Sequence, residues 1–123
     1  MRTPKLFLQI NPQTNGMPEV PAQFPGGVYA MYRFIRERQE YPLLAMEEGT
    51  EGVVMIGFTV SETGSIEAPE VLHPLDFDCD QEALRLIRAM PKWEPARNLG
   101  KIVPVQVQLP VHFQLTAIPS EYE

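Results

Sequence analysis

The residues with reactive side chains are few, and their spacing does not assemble a catalytic site. Cys79, the single cysteine, is flanked by Asp78 and Asp80, whose negative charges raise a thiol pKa and disfavour the nucleophilic thiolate. The two histidines, His73 and His112, are far apart in the chain, whereas metal sites need three or four converging ligands. The sequence therefore predicts no enzyme, no metal and no cofactor. A small enzyme using Cys79 or the histidines is an alternative that rests on residue identity alone.

Three aspartates, Asp76, Asp78 and Asp80, alternate in a way that resembles part of a calcium loop. The glycine at the sixth position and the closing glutamate of such a loop are missing. Helix capping explains these residues better, and we expect Asp80 to be the N-cap of a helix that runs to Met90. Cys79 is then predicted to be a small buried residue beside the cap.

The chain offers a stronger signal for binding than for catalysis, in its last regular element. Residues 101–115 read KIVPVQVQLPVHFQL, with apolar residues at every odd position from Val103 to Leu115. This alternation predicts a strand with one buried and one solvated face. Pro104 and Pro110 remove backbone donors from the same edge of that strand, and proline is confined to sheet edges, strand starts and bulges. We therefore expect the even-numbered edge to be the open rim of the sheet, able to pair with another chain.

The preceding elements predict an α+β fold. Two helices should pack on one face of a three-stranded antiparallel sheet in the order helix, strand, strand, helix, strand. The last strand is expected beside the first, and the return strand on the opposite edge because it contains Pro69. Alternation at Leu6, Leu8 and Ile10 is compatible with an additional short N-terminal strand. The predicted segments are a helix at 26–40, a helical turn at 43–48, strands at 53–60 and 66–72, a hairpin loop at 61–65 and a helix at 80–90.

Length and composition suit one domain and restrict its partners. The chain has 123 residues, 44% hydrophobic residues and a net charge of −6, which argues against nucleic acid or an anionic membrane surface as the partner. No apolar run is long enough to cross a bilayer. We divide the chain into a proline-rich leader at residues 1–23, a domain at 24–118 and a frayed tail at 119–123.

Two aromatic residues lie outside the clear core patterns. Trp93 is expected to close the core near the end of the second helix. Tyr41 and Pro42 follow the first helix, where a rigid corner can face a partner.

Five segments, in this order and spacing, resemble the C-terminal domain of TonB-type energy transducers, most closely the versions common in Bacteroidetes-type bacteria. The resemblance covers residues 24–115. The segments are FPGG at 24–27, YP at 41–42, EGVVMIGFTVSETGSI at 51–66, ALRLIRAMPKWEPAR at 83–97 and IVPVQVQLPVHFQL at 102–115.

The resemblance implies a periplasmic domain, anchored in the inner membrane through preceding segments, that serves transport. Its implied partners are inner-membrane motor proteins and an outer-membrane transporter, whose N-terminal TonB box joins the sheet as an added strand. The implied site has two parts, a corner and a receiving strand: Arg38, Gln39, Glu40, Tyr41 and Pro42, and Val105, Gln106, Val107, Gln108 and Leu109.

Two alternatives stay open at this point, and one expectation concerns affinity. Because no anchor or long spacer is present in the sequence, the same fold could instead serve a periplasmic sensor or a cell-wall-binding module. An unpaired rim could also pair with a second copy of the chain and form a homodimer. The two prolines limit an added strand to a few backbone hydrogen bonds, so we expect weak, micromolar binding.

Overall fold

Residues 8–115 are described by a computed structural model. Their helices and strands contain the predicted order of helix, strand, strand, helix, strand, with four short elements in addition. Alternation of apolar side chains sets the strands, and the i, i+3, i+4 spacing of apolar side chains sets the two longer helices. The predicted strand position Leu6 and the predicted frayed tail lie outside the described residues. The elements are β1 (Leu8–Ile10), α1 (Val28–Arg38), α2 (Leu43–Glu48), β2 (Gly52–Val60), β3 (Ile66–His73), α3 (Phe77–Arg88), β4 (Ala96–Asn98), β5 (Lys101–Val103) and β6 (Val105–Phe113).

The main sheet is antiparallel, with the strand order β1-β6-β2-β3. The predicted α+β class, the position of β6 beside β2 and the edge position of β3 are confirmed. The sheet gains a fourth strand because β1 pairs with the outer side of β6. Pro104 separates β5 from β6, and β5 pairs with β4 in a small hairpin of its own. The prediction of one continuous strand from residue 101 to 115 is therefore wrong at its start.

The core lies between the helices and one face of the sheet. The odd-numbered side chains of β6 are buried there, as the alternation predicted, together with those of alternate β2 residues. From the helices come Met31 and Ile35 of α1 and the apolar face of α3. The opposite sheet face carries exposed Gln106 and Gln108.

The start of α3 differs from the prediction. Its N-cap is Asp76, whose carboxylate accepts the backbone N–H of Cys79 at 2.7 Å. Asp80 lies inside the helix, and its carboxylate accepts the N–H of Leu75 at 2.9 Å. The spacing of the three aspartates left the choice open, and Asp76 caps because its backbone is extended where the helix begins.

The tip of the β2–β3 hairpin is fixed against the core by Trp93. The backbone N–H of Trp93 donates to the carbonyl of Gly64 at 2.9 Å. A Cβ on Gly64 would lie 2.0 Å from the Trp93 carbonyl oxygen. The indole ring is 2% exposed and makes edge-to-face contacts with Phe24 and Phe58. The predicted role of Trp93 in closing the core is confirmed.

Candidate partner-binding edge

The outer edge of β6 is occupied by the chain's own leader, so the prediction of an open rim is wrong. Leu8 lies opposite Gln108, Gln9 opposite Val107 and Ile10 opposite Gln106. The edge of β6 that faces away from β2 is the one predicted from the two prolines. Its occupant was not predicted, because three residues of weak alternation are a poor strand signal. A dimer through this rim would need β1 to leave first.

The part of the β6 edge that β1 covers is short, because the residues on either side of it cannot pair with a strand. Pro104 interrupts the strand on one side, and Pro110 lacks an N–H on the other. Beyond Pro110, the carbonyl of His112 accepts a hydrogen bond of 2.9 Å from the side-chain amide of Gln39. An added strand therefore finds its backbone partners mainly at Gln106 and Gln108, which β1 now faces.

One buried side chain ties β1 to the rest of the leader. Gln9 is 3% exposed. Its amide nitrogen donates to the carbonyl of Ala22 at 2.8 Å, and its amide oxygen accepts the N–H of Ala22 at 2.9 Å. The Gln9 side chain thus pairs with a backbone as a neighbouring strand would, and satisfies two buried backbone groups. The burial of Gln9 was not predicted, because a lone glutamine in an alternating segment is typical of a solvent-facing position.

The leader from residue 11 onward also lies against the domain. The Asn11 N–H donates to the carbonyl of Gly16 at 2.8 Å and closes a turn. Val20 then pairs with Arg97, and Gln23 with Glu94, through reciprocal backbone hydrogen bonds of 2.7 to 3.0 Å. Residues 8–23, which the sequence analysis assigned to the leader, are therefore joined to the sheet and to the segment after α3.

The corner between α1 and α2 is fixed by contacts of the Tyr41 side chain with the rest of the domain. The Tyr41 hydroxyl donates to the carbonyl of Thr50, and its ring meets Phe113 edge to face at 5.6 Å between centroids. Partial burial raises the pKa of this phenol. Tyr41 and Pro42 are half-buried. Tyr41 therefore fixes the corner to the end of β6 through its ring and to the segment before β2 through its hydroxyl.

An ion pair on α3 holds the preceding residues of the corner. Glu82 is 7% exposed and accepts the Arg85 side chain at 2.6 and 2.7 Å and the N–H of Glu40 at 2.7 Å. Arg85 also donates to the carbonyl of Arg38 at 2.9 Å. Hydrogen bonding to Glu82 raises the pKa of Arg85 above its ordinary value. This pair was not predicted from the sequence, although the i, i+3 spacing of Glu82 and Arg85 is a usable signal.

The structure brings only part of the two predicted site segments together. Gln39 contacts the C-terminal end of β6, whereas Gln106 and Gln108 lie toward its other end under β1. Val105, Val107 and Leu109 are buried in the core and can offer a partner no side chain. Next to the corner, α2 exposes three large apolar side chains that the sequence analysis did not single out: Leu43, Leu44 and Met46.

The residues considered for catalysis remain apart in the described part of the chain. Cys79 is fully buried, as predicted, and burial followed by the hydrogen bond with Asp76 raises its pKa to about 12. His73 and His112 are exposed on different strands. Within residues 8–115, no group of three or more histidine, cysteine or acidic side chains is placed to hold a metal ion.

The family is decided by a comparison with family models. Residues 37–115 match the family described as the Gram-negative bacterial TonB protein C-terminal. The chain belongs to this TonB C-terminal family. The match contains the corner and β6, and β1 with the rest of residues 8–36 lies outside it. The TonB C-terminal domain is a periplasmic type of domain, part of a transducer that serves transport and that in general interacts with TonB-dependent transporters.

Solved structures with a similar fold come from the same family. The solution structure of Helicobacter pylori TonB-CTD, residues 179–285, has a TM-score of 0.55 and 24% identity, covering 72% of this chain and 79% of that one. The structure of residues 194–285 has a TM-score of 0.54 and 20% identity, covering 75% and 99%. The comparison with curated proteins gave no match. Among the helices of residues 8–115, none is long and apolar enough to span a membrane.

Proposed function

We propose that this TonB C-terminal domain binds the TonB box of an outer-membrane TonB-dependent transporter as an added strand on β6, and so couples inner-membrane energy to that transporter. The domain is not an enzyme. Its inner-membrane partners would act through segments preceding the domain, and the protein would work in the periplasm. The observation that carries the proposal is the pairing of Gln106–Gln108 with three residues of the leader, since an edge that pairs with one extended segment has the geometry to pair with another.

The receiving strand and the corner would have different roles in binding. The backbone of Val105 to Leu109 receives the strand. The corner, from Arg38 to Pro42, sets the end of the receiving edge, because Gln39 holds the carbonyl of His112 and Tyr41 packs against Phe113. A partner strand longer than β1 would meet the Gln39 amide at the carbonyl of His112.

The expected affinity is low. Each backbone hydrogen bond contributes a net free energy of only about 0.5–1.5 kcal/mol. Pro104 and Pro110 restrict the number of such bonds. Side-chain contacts beside the corner would supply the rest of the binding energy. A dissociation constant on the order of micromolar corresponds to about 8 kcal/mol of binding free energy.

A titration tests the proposal. Isotope-labelled protein is titrated with peptides that copy the N-terminal segments of TonB-dependent transporters from the same organism. We expect NMR shift changes at Gln106 and Gln108. Gln108→Pro should weaken binding by about tenfold, because it removes a backbone donor from the receiving edge, and Gln108→Ala is the matched control that keeps this donor. Shift changes confined to the helices would refute strand addition.

A further inference from the structure

The leader strand β1 lies on the segment of β6 where an added strand would bind. It runs antiparallel to β6 and pairs with the whole stretch between the closed ends of the edge, from Gln106 to Gln108. Both cannot occupy the same backbone groups, because each N–H and C=O on that edge can serve only one neighbouring strand. Partner binding at this edge therefore requires β1 to leave.

The contacts that hold β1 involve few residues. It is three residues long, and Leu8 is 45% exposed. Its central residue, Gln9, provides the two hydrogen bonds to Ala22. A short edge strand held in this way opens at a much lower free energy than the central strands of the sheet.

The surroundings allow β1 to open without unfolding the domain. Gln9 is the one buried residue of β1, and the hydrophobic core of residues 8–115 contains no residue of β1. Opening β1 therefore removes no apolar side chain from the core. The turn after β1 is closed by Asn11 and Gly16, and the chain is next fixed to the domain at Glu19 and Val20, through Asn98 and Arg97. The segment before the turn can thus detach while the later leader stays in place.

We propose that β1 occupies the place of the partner strand on β6 until that strand displaces it. We further propose that the Gln9 side chain holds β1 on β6, a role that we call the latch. The partner's identity rests on the proposed function, but the displacement does not. The apparent affinity for any incoming strand is reduced by the fraction of molecules in which β1 has opened. An incoming strand that copies β1 runs antiparallel to β6, and it gains if it carries an amide side chain at the position of Gln9 to satisfy Ala22.

A peptide copying residues 5–13 of this chain, KLFLQINPQ with blocked ends and a fluorescent label, is the probe. It carries its own Gln9 and can bind only if β1 of the intact protein leaves. The tested variant is Gln9→Met, which keeps the side-chain length and removes the amide. The control is Gln13→Met, because Gln13 is an exposed glutamine of the same leader.

We expect the peptide to bind Gln9→Met about tenfold more tightly than the wild type, since two hydrogen bonds then favour the peptide over the protein's own strand. Gln13→Met should bind like the wild type. Equal affinities for all three folded proteins, measured by fluorescence anisotropy, would overturn the role of Gln9 as a latch. Near-ultraviolet circular dichroism verifies that each variant is folded.

A cross-strand disulfide tests displacement without weakening β1. Leu8 and Gln108 are directly opposite each other, and opposed Cα atoms in an antiparallel pair lie at about 5.5 Å, which a disulfide can bridge. The doubly substituted Leu8→Cys, Gln108→Cys protein should bind the peptide when reduced and lose at least tenfold in affinity when oxidised. Buried Cys79 does not compete for the bond. Equal binding by the oxidised and reduced forms would refute displacement.

The two proposals fail in different ways. If the leader peptide follows these expectations and transporter peptides bind no variant, β1 is displaceable and the proposed function is wrong. If transporter peptides bind the oxidised and reduced proteins equally well at β6, the proposed function survives and the displacement of β1 is wrong.

Discussion

Replacing Arg85 with methionine tests how α3 holds the corner between α1 and α2. The substitution removes two hydrogen bonds to the carboxylate of Glu82 and one to the carbonyl of Arg38. Glu82 is 7% exposed, so it would keep its negative charge in a nearly dry site with only the N–H of Glu40 as a donor. The methylene stem of the side chain is retained, which limits the packing loss.

The magnitude follows from the burial of the two partners. Removing one partner of a fully buried ion pair costs about 3–5 kcal/mol, because the remaining charge is uncompensated. The Arg85 side chain is 46% exposed, and water there can partly replace it. We therefore expect the free energy of unfolding to fall by about 2–3 kcal/mol. At about 3–5 °C per kcal/mol for a chain of this size, Tm should drop by about 6–15 °C.

Urea denaturation followed by circular dichroism measures the effect. Arg88→Met is the matched control, because Arg88 is an exposed arginine three residues along the same helix. It should change the free energy of unfolding by less than about 0.5 kcal/mol. Adding Glu82→Gln to Arg85→Met should recover about 1 kcal/mol by removing the buried charge. A loss below about 0.5 kcal/mol for Arg85→Met, or a double variant less stable than the single one, would refute the reasoning.

Two further outcomes follow from the geometry. Gly64→Ala should cost about 3 kcal/mol, because it combines a positive φ with a clash against the Trp93 carbonyl. Gly49→Ala, with a positive φ and open space around it, should cost only about 1 kcal/mol, and equal losses in thermal denaturation would contradict this. Because burial raises the pKa of Cys79 to about 12, its contribution to stability is present below about pH 9 and is lost as the pH rises toward 12. The free energy of unfolding of Cys79→Ala, measured with urea between about pH 8 and pH 11, should fall less steeply than that of the wild type; parallel curves would show that the thiol does not contribute.

The main elements of the fold could be predicted because their patterns are long. Nine residues of alternation in β6 specify both its buried face and the edge that faces away from β2. The 3.6-residue period places the apolar face of α3, and Pro42 ends the first helical segment before α2 begins. Such patterns are set by residues close together in the chain, so the sequence alone was sufficient.

The occupant of the edge could not be predicted, because it depends on contacts between distant residues. Gln9 is buried only because Ala22 offers two backbone groups to its amide. Tyr41 lies in a proline-containing corner that the sequence predicts to face a partner, and its burial follows from contacts with Phe113 and Thr50. In both cases the deciding partner is set by the tertiary fold, and local alternation carries no information about it.

The most direct measurement is amide hydrogen exchange across the β1–β6 pair with and without a bound transporter peptide. If a transporter strand replaces β1, the amides of Leu8 and Ile10 should lose protection when the peptide binds, while those of Gln106 and Gln108 should stay protected. Unchanged protection at Leu8 and Ile10 in the peptide complex would contradict the account, because β1 would then still hold the edge that the partner is proposed to take.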